Sequence, residues 1–327
     1  MTPCTTQQLK LAFQAELPAI HAAIHEEIAR LPQAVQPVAR HVLDAGGKRL
    51  RPMLTILTAR ALGGAEVHLH ATAVALELLH SATLIHDDIL DGATTRRGRP
   101  AAHTVFGLVP AILAGDALLA HANAIMARPG IPALTTCAAQ AILATAAGEI
   151  EEIAAMDAPA LSQEAYLEII TGKTAYLIQA ACEAGAILAR ADAAVVDAAR
   201  RFGLGLGIAF QLVDDALDYA ATEAALGKPQ GGDLREGKRT LPLLLFLESL
   251  PDNERGELAD RIQRRELSAA DFADIQQRVV DGGFARATVE KAQTYVQSAL
   301  SALSLFPVSP ERELLHTIGE YVLKREK

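Results

Sequence analysis

The pattern Asp-Asp-x-x-Asp occurs twice in this chain, at residues 87–91 and 214–218, and each copy closes a long apolar stretch. On a helix, residues i and i+4 share a face, so Asp87 stands over Asp91 and Asp214 over Asp218. Like charges at that spacing repel by about 0.2–0.5 kcal/mol per pair, and by more where water is excluded. A chain that ends two apolar helices this way must fold so that something cationic reaches the carboxylates. Hard divalent cations such as Mg2+ take oxygen ligands and often share them with substrate phosphates. One copy alone would read as a solvated helix end. Two copies in the same context point to metal, with Asp87, Asp88, Asp91, Asp214, Asp215 and Asp218 as candidate ligands.

The stretches before the clusters are apolar on most sides. The first carries Val74, Leu76, Leu78, Leu79, Ala82 and Ile85, and the second Phe202, Leu206, Ile208, Phe210, Leu212 and Val213. Helices of this kind are central ones. Two central helices with carboxylates at their ends would place both clusters at the mouth of one cavity. Ala and Leu dominate and only 4% of residues are aromatic, which suits helices better than sheets. Periodicity predicts helices over 6–30, 33–45, 49–62, 66–91, 108–128, 131–156, 162–190, 192–220, 240–250, 253–265, 268–281, 283–304 and 308–325. Gly and Pro separate them at Gly46-Gly47, Gly63-Gly64, Pro129-Gly130 and Gly282-Gly283. No low-complexity linker or composition shift intervenes, so a single all-α domain over 1–327 is expected.

Composition narrows the partners. A net charge of −9 argues against general nucleic-acid binding. Cys4, Cys137 and Cys182 fit neither a zinc spacing nor a disulfide framework, and a reducing cytoplasm is the simplest location. The first ten residues are polar, with no basic start followed by an apolar core, so no signal peptide is expected. The apolar region 101–126 is interrupted by His103, Pro110, Asp116 and His121, so no membrane-spanning segment is expected.

Basic residues gather in loops. Gly46-Gly47-Lys48-Arg49-Leu50-Arg51-Pro52 sets three cations after a Gly-Gly break, and Thr95-Arg96-Arg97-Gly98-Arg99 sets three more after the first acidic cluster. Gly172-Lys173-Thr174 adds a Lys-Thr pair, and residues 227–240 follow the second cluster with Lys228, Arg235, Lys238 and Arg239. Arg clamps planar anions bidentately while Lys acts as a point charge, and both serve phosphate. Any one run alone would read as a solvated loop. Two acidic clusters, each followed by a basic loop, describe a site for Mg2+ and more than one phosphate group. Six carboxylates suit roughly three divalent ions. Neither a Ser-His-Asp arrangement nor HExxH competes.

The motifs GGKRLRP, HSATLIHDDILDGATTRRG, GKT and FQLVDDALDY, in this order and spacing, resemble those of the trans-prenyltransferases, the polyprenyl diphosphate synthases. The match runs from Gly46 through Lys238 and into the helical tail. The resemblance implies an all-α, isoprenoid-synthase-type helical bundle around a central cavity, acting as a homodimer. It implies Mg2+-dependent condensation of isopentenyl diphosphate with an allylic diphosphate, with Mn2+ as a substitute. The diphosphate departs, the double bond attacks the allylic cation, and a proton is lost to the released diphosphate. By the same resemblance, Arg96, Lys173, Lys228 and Lys238 contact the allylic diphosphate, and Lys48, Arg49, His80 and Arg97 bind isopentenyl diphosphate, with Arg51 a possible addition. Thr174 and Gln211 line the reacting carbons.

Within that family, residues just before the first cluster wall the growing product tail. Here Ala82 and Thr83 are small, no insertion splits Asp88 from Asp91, and the next apolar helix adds Ala114, Ala117 and Ala120. Tight helix packing explains small residues equally, but a deep apolar path for a medium or long tail is the favoured reading, with a geranylgeranyl or farnesyl synthase as the alternative. A non-catalytic subunit of a heteromeric synthase would usually lack one acidic cluster or the basic loops. A terpene cyclase would carry a different second acidic pattern.

Overall fold

The computed structural model describes residues 5–158, 160–220 and 231–325. Its described helices are α1 Thr6–Ala29, α2 Gln36–Leu43, α3 Leu50–Ala61, α4 Leu69–Leu90, α5 Ala102–Phe106, α6 Leu108–Ala127, α7 Pro132–Asp157, α8 Gln163–Ile170, α9 Tyr176–Leu188, α10 Ala193–Ala220, α11 Gly232–Glu236, α12 Leu241–Glu248, α13 Asp252–Gln263, α14 Ala269–Asp281, α15 Phe284–Ala302 and α16 Pro310–Val322. A single π-helical turn, Thr171–Ala175, joins α8 to α9, and the two-residue strands β1 Thr95–Arg96 and β2 Arg99–Pro100 form a small hairpin. The chain is all-α, as the periodicity predicts. Contacts divide it into two compact units whose boundaries fall inside α7, α9, α10 and α16.

The first unit holds residues up to Ile142, Ala180–Arg200 and Leu303–Thr317. Its centre is α4, where Val74, Leu76, Leu78 and Leu79 are sealed from water and α1, α3 and α6 pack around them. α1 begins on a capping box, in which Thr5 and Gln8 satisfy each other's backbone N–H groups. Its far end is pinned by the buried Glu27, which accepts from Arg128 Nη2 at 2.8 Å and meets His121 Nε2 at 2.9 Å. Removing Arg128 would leave that buried carboxylate poorly compensated.

α6 and α7 each have the length and composition to cross a membrane, over Leu108–Ala127 and Pro132–Met156. α6 keeps this character despite the polar interruptions Asp116 and His121. In α6, Ala111, Ala114, Leu118, Ala122, Ile125 and Met126 are buried, while Leu108, Val109, Ile112 and Leu113 are exposed.

The second unit holds Leu143–Gln179, Arg201–Ala302 and the chain from Ile318. Tyr219 on α10, Leu243 and Phe246 on α12, Ile262 on α13, Val279 on α14 and Ala285 on α15 share one apolar core. The predicted helix over 162–190 is interrupted here by the π turn. A Cβ on Gly148 of α7 would lie 2.4 Å from Lys173 N, and one on Gly207 of α10 would lie 2.6 Å from Ala175 Cα. Only glycines let α7 and α10 come this close. The extra residue of the π turn is how the chain threads between them, and such turns recur at functional sites.

Candidate active site

In the first unit, α4 ends at the first acidic cluster. Gly92 takes φ +63° and the Ala93 N–H reaches Asp88 O at 2.9 Å, a Schellman closure that a non-glycine residue would strain. Asp91 is exposed and Asp87 half-buried, while Asp88 is buried with its Oδ1 accepting from Arg96 Nε at 2.7 Å. The chain then turns through the hairpin. Arg97 (φ 51°) and Gly98 (φ 72°) are its two central residues, both with positive φ as a type I′ turn requires. Two-residue strands carry no periodic signal, which is why the sequence showed only a basic run.

That turn explains the Gly46-Gly47 break. Arg97 Nη1 donates to the Gly46 carbonyl, and a Cβ on Gly47 (φ +136°) would sit 2.7 Å from the same nitrogen. Two motifs that looked independent therefore form one contact, and Lys48 is held next to it.

Arg49 departs from the expectation. It takes a left-handed conformation (φ 49°) at the start of α3 and turns inward, 4% exposed. Its Nη1 donates to Glu77 Oε1 at 2.6 Å and its Nη2 to the Leu43 carbonyl. A carboxylate inside the apolar α4 needed a cation, and Arg49 is committed to that buried pair. Arg51, in the first turn of α3, also has a buried Nε with no hydrogen-bond partner among the described residues. Burial pulls Arg51 down to about 10, Glu77 opposing and Arg97 adding, so it remains charged at neutral pH. His80 is pushed well below its ordinary 6.5 by burial and then by Arg51, Arg97, Arg96 and Arg49, so it is neutral. This excess of guanidinium charge suits an anion.

In the second unit, one cavity of about 110 Å³ gathers Lys173, Thr174, Gln211, Asp215 and Lys238. These come from three separate motifs. Lys173 Nζ lies 2.8 Å from Glu149 and 2.5 Å from Glu152. Burial opposes its charge, but Glu152 and Glu149 outweigh burial and hold its pKa above the ordinary lysine range. The three Asp residues of the second cluster do not share one environment. Asp214 is half-exposed and meets Arg325 Nη2 at 3.1 Å. Asp215 is buried between Tyr166, which donates to Oδ2, and Gln211, whose Nε2 donates to Oδ1 at 2.7 Å. Asp218 is buried and accepts from Asp233 N at 3.0 Å, which caps α11 and so steadies the loop carrying Lys238. Lys238 itself lies 2.7 Å from Glu236. Arg239, read as one of a basic run, donates to the Ala155 and Ala158 carbonyls and so caps the end of α7. Lys228 lies outside the described residues.

Among the described residues, no three His, Cys, Asp or Glu side chains already converge as a ready-made metal site. The donor chemistry nevertheless fits a hard divalent cation. Asp87, Asp91 and Asp214 offer oxygen only, and neither α4 nor α10 has a basic residue in its last turn.

An all-α chain with paired acidic helix ends and cationic loops is of the isoprenoid-synthase class. A family model of polyprenyl synthetases matches residues 32–279. The chain is 35% identical to an all-trans-nonaprenyl-diphosphate synthase (geranyl-diphosphate specific) of Rhodobacter capsulatus, over 98% of both chains. It is 33% identical to the octaprenyl diphosphate synthase of Escherichia coli, over 95% of this chain and 96% of that one. A crystal structure of a polyprenyl synthase from Caulobacter crescentus, complexed with calcium and isoprenyl diphosphate, superposes over 100% of both chains with a TM-score of 0.91 and 39% identity. The chain belongs to the polyprenyl synthetase family and is a prenyltransferase, a trans-polyprenyl diphosphate synthase.

Proposed function

We propose that this enzyme condenses isopentenyl diphosphate with an allylic diphosphate in a Mg2+-dependent reaction giving a medium- or long-chain all-trans product. The observation that carries the site assignment is the cavity in which Lys173, Thr174, Gln211 and Lys238 meet. Asp87, Asp88 and Asp91 of the first unit and Asp214, Asp215 and Asp218 of the second are the metal-ligand candidates, and the calcium in the Caulobacter relative supports a metal of this kind. Bound Mg2+ would neutralise charge on the departing diphosphate. Lys173 and Lys238 bind that diphosphate, exchanging their carboxylate partners for phosphate oxygens. Thr174 and Gln211 face the reacting carbons. Lys48, Arg51, His80 and Arg97 bind isopentenyl diphosphate, with Arg51 in the place first expected of Arg49. As the allylic C–O bond breaks and the new C–C bond forms, the released diphosphate takes the proton. We read the whole chain as one functional domain, in keeping with relatives matched over nearly their full length.

Incubation with isopentenyl diphosphate, Mg2+ and each allylic starter, followed by chromatography of the dephosphorylated products, tests this reading. No elongation with any starter would sink it. A geranylgeranyl or farnesyl product would select the shorter-chain alternative. Both acidic clusters are present, which speaks against a non-catalytic subunit.

Gly47→Ala is expected to raise KM for isopentenyl diphosphate about tenfold, because the added methyl must displace the Arg97 guanidinium. KM for the allylic substrate should hardly move. Equal rises in both would remove Arg97 from the isopentenyl site.

The exposed face of α6 is best matched by a second copy of the chain. Leu108, Val109, Ile112 and Leu113 are 53%, 63%, 37% and 59% exposed, a contiguous aliphatic patch of the kind that marks interfaces. Leu113→Glu should convert a dimer to a monomer by light scattering; an unchanged mass would place the interface elsewhere. The buried free thiols of Cys137 and Cys182 suit a cytoplasmic location.

A further inference from the structure

Resting on that reading, we propose that Tyr166 is a positioning residue for the carbocation step. It anchors a hydrogen-bonded chain that turns the lone pairs of the Thr174 hydroxyl toward the cavity.

The chain has four members. Tyr166 Oη donates to Asp215 Oδ2, and Gln211 Nε2 donates to Asp215 Oδ1 at 2.7 Å. Thr174 Oγ1 in turn donates to Gln211 Oε1 at 2.9 Å. Tyr166 is 3% exposed on α8 and contributes to the wall of the same cavity.

The direction of each bond follows from what the groups can do. An amide nitrogen only donates. With Nε2 of Gln211 aimed at Asp215, Oε1 must point the other way, toward Thr174. That oxygen only accepts, so the threonine hydrogen is spent on it. What Thr174 then presents to the cavity is oxygen lone-pair density. This is the polarity an allylic cation needs, held in place before the charge develops.

Tyr166 holds the other end. Its ring is buried and its hydroxyl donates to Asp215 Oδ2. Without the phenol, Asp215 loses the donor that fixes Oδ2 and can rotate away from Gln211. The amide then has no acceptor holding Nε2, so Oε1 is no longer fixed on Thr174, whose O–H can turn to the cavity.

A double-mutant cycle tests this. Y166F keeps the ring in the core. It should lower the single-turnover condensation rate about tenfold, less than loss of a direct contact costs. The Kd of the allylic diphosphate, measured by calorimetry with Mg2+, should stay within about twofold. T174V should lower the rate at least as much, and T174S should recover most of it. In the T174V background, Y166F should change the rate by less than about twofold. Losses that multiply in the double mutant would overturn the inference, as would an allylic Kd that rises in step with the rate loss. If Y166F fails to fold, Q211L serves: it removes the amide that joins Asp215 to Thr174 and should cost the rate about as T174V does, with the allylic Kd within about twofold. A Q211L loss that multiplies with T174V, or an allylic Kd that rises in step with it, would overturn the inference. Failure of the wild type to elongate any starter would instead remove the prenyl-transfer reading. A Y166F enzyme as fast as an active wild type removes only Tyr166.

Discussion

Asp87→Ala is expected to lower turnover about 10²–10³-fold, the scale for losing one preorganised electrostatic partner, with the fold retained. Asp87 sits in the last turn of α4, which contains no basic residue. The helix dipole is negative there, so an anion at that end costs about 0.3–1 kcal/mol when exposed, and Asp91 adds like-charge repulsion. Alanine removes both penalties. Asp214→Ala should behave alike in turnover. The Arg325 side chain is only 8% exposed, so Asp214→Ala leaves a buried guanidinium without its carboxylate and should lower the melting temperature as well. Asp218→Ala should also lower it, because it strips the buried cap from α11. Single-turnover kinetics at saturating Mg2+, with thermal denaturation of the same samples, separates the cases. Near-normal turnover in Asp87→Ala or Asp214→Ala would take that carboxylate out of the metal site. A carboxylate that weakens its own helix is retained for what it binds.

Much of this was legible in the sequence, for a physical reason. Long helices write their period into the chain, and acids or cations at helix ends stand out against an apolar background. The predicted segments over 66–91, 108–128 and 192–220 correspond to α4, α6 and α10 within a few residues. What stayed hidden depends on contacts far apart in the chain. The π turn at Thr171–Ala175 is imposed by Gly148 and Gly207, while the local sequence reads as continuous helix. The hairpin at Arg97-Gly98 is too short for any period. Nothing in Lys48-Arg49-Leu50-Arg51 says which cation turns inward. The available signal was Glu77, a carboxylate surrounded by apolar residues that had to find a partner. Tyr166 lies seven residues before Lys173, two helical turns, and so shares its broad face. That spacing could have placed it at the site, but only the structure joins it to Asp215.

Ala82→Phe is expected to shift the product distribution to shorter chains by one or more isoprene units. Ala82 is fully buried on α4, α6 packs against α4, and Ala111 and Ala114 of α6 are also buried. Gly115 backs onto His86, where a Cβ would lie 2.3 Å from Nε2. Small side chains are thus buried on both helices. Small residues there let two helices approach, and they also leave the least to displace when an apolar tail threads along them. Phe brings a ring that buries about 150–250 Å², which the site can accommodate only by filling the path or by spreading the helices. Spreading costs about 1–3 kcal/mol, so the melting temperature should fall modestly. Filling the path stops elongation early, while the residues that bind both diphosphates stay in place. The rate of the first condensation should accordingly remain near wild type as the longest products disappear from the chromatogram. A wild-type length distribution would mean that the tail does not run past Ala82. Loss of the first condensation together with the long products would mean that the ring disturbs Asp87, five residues on, rather than the tail.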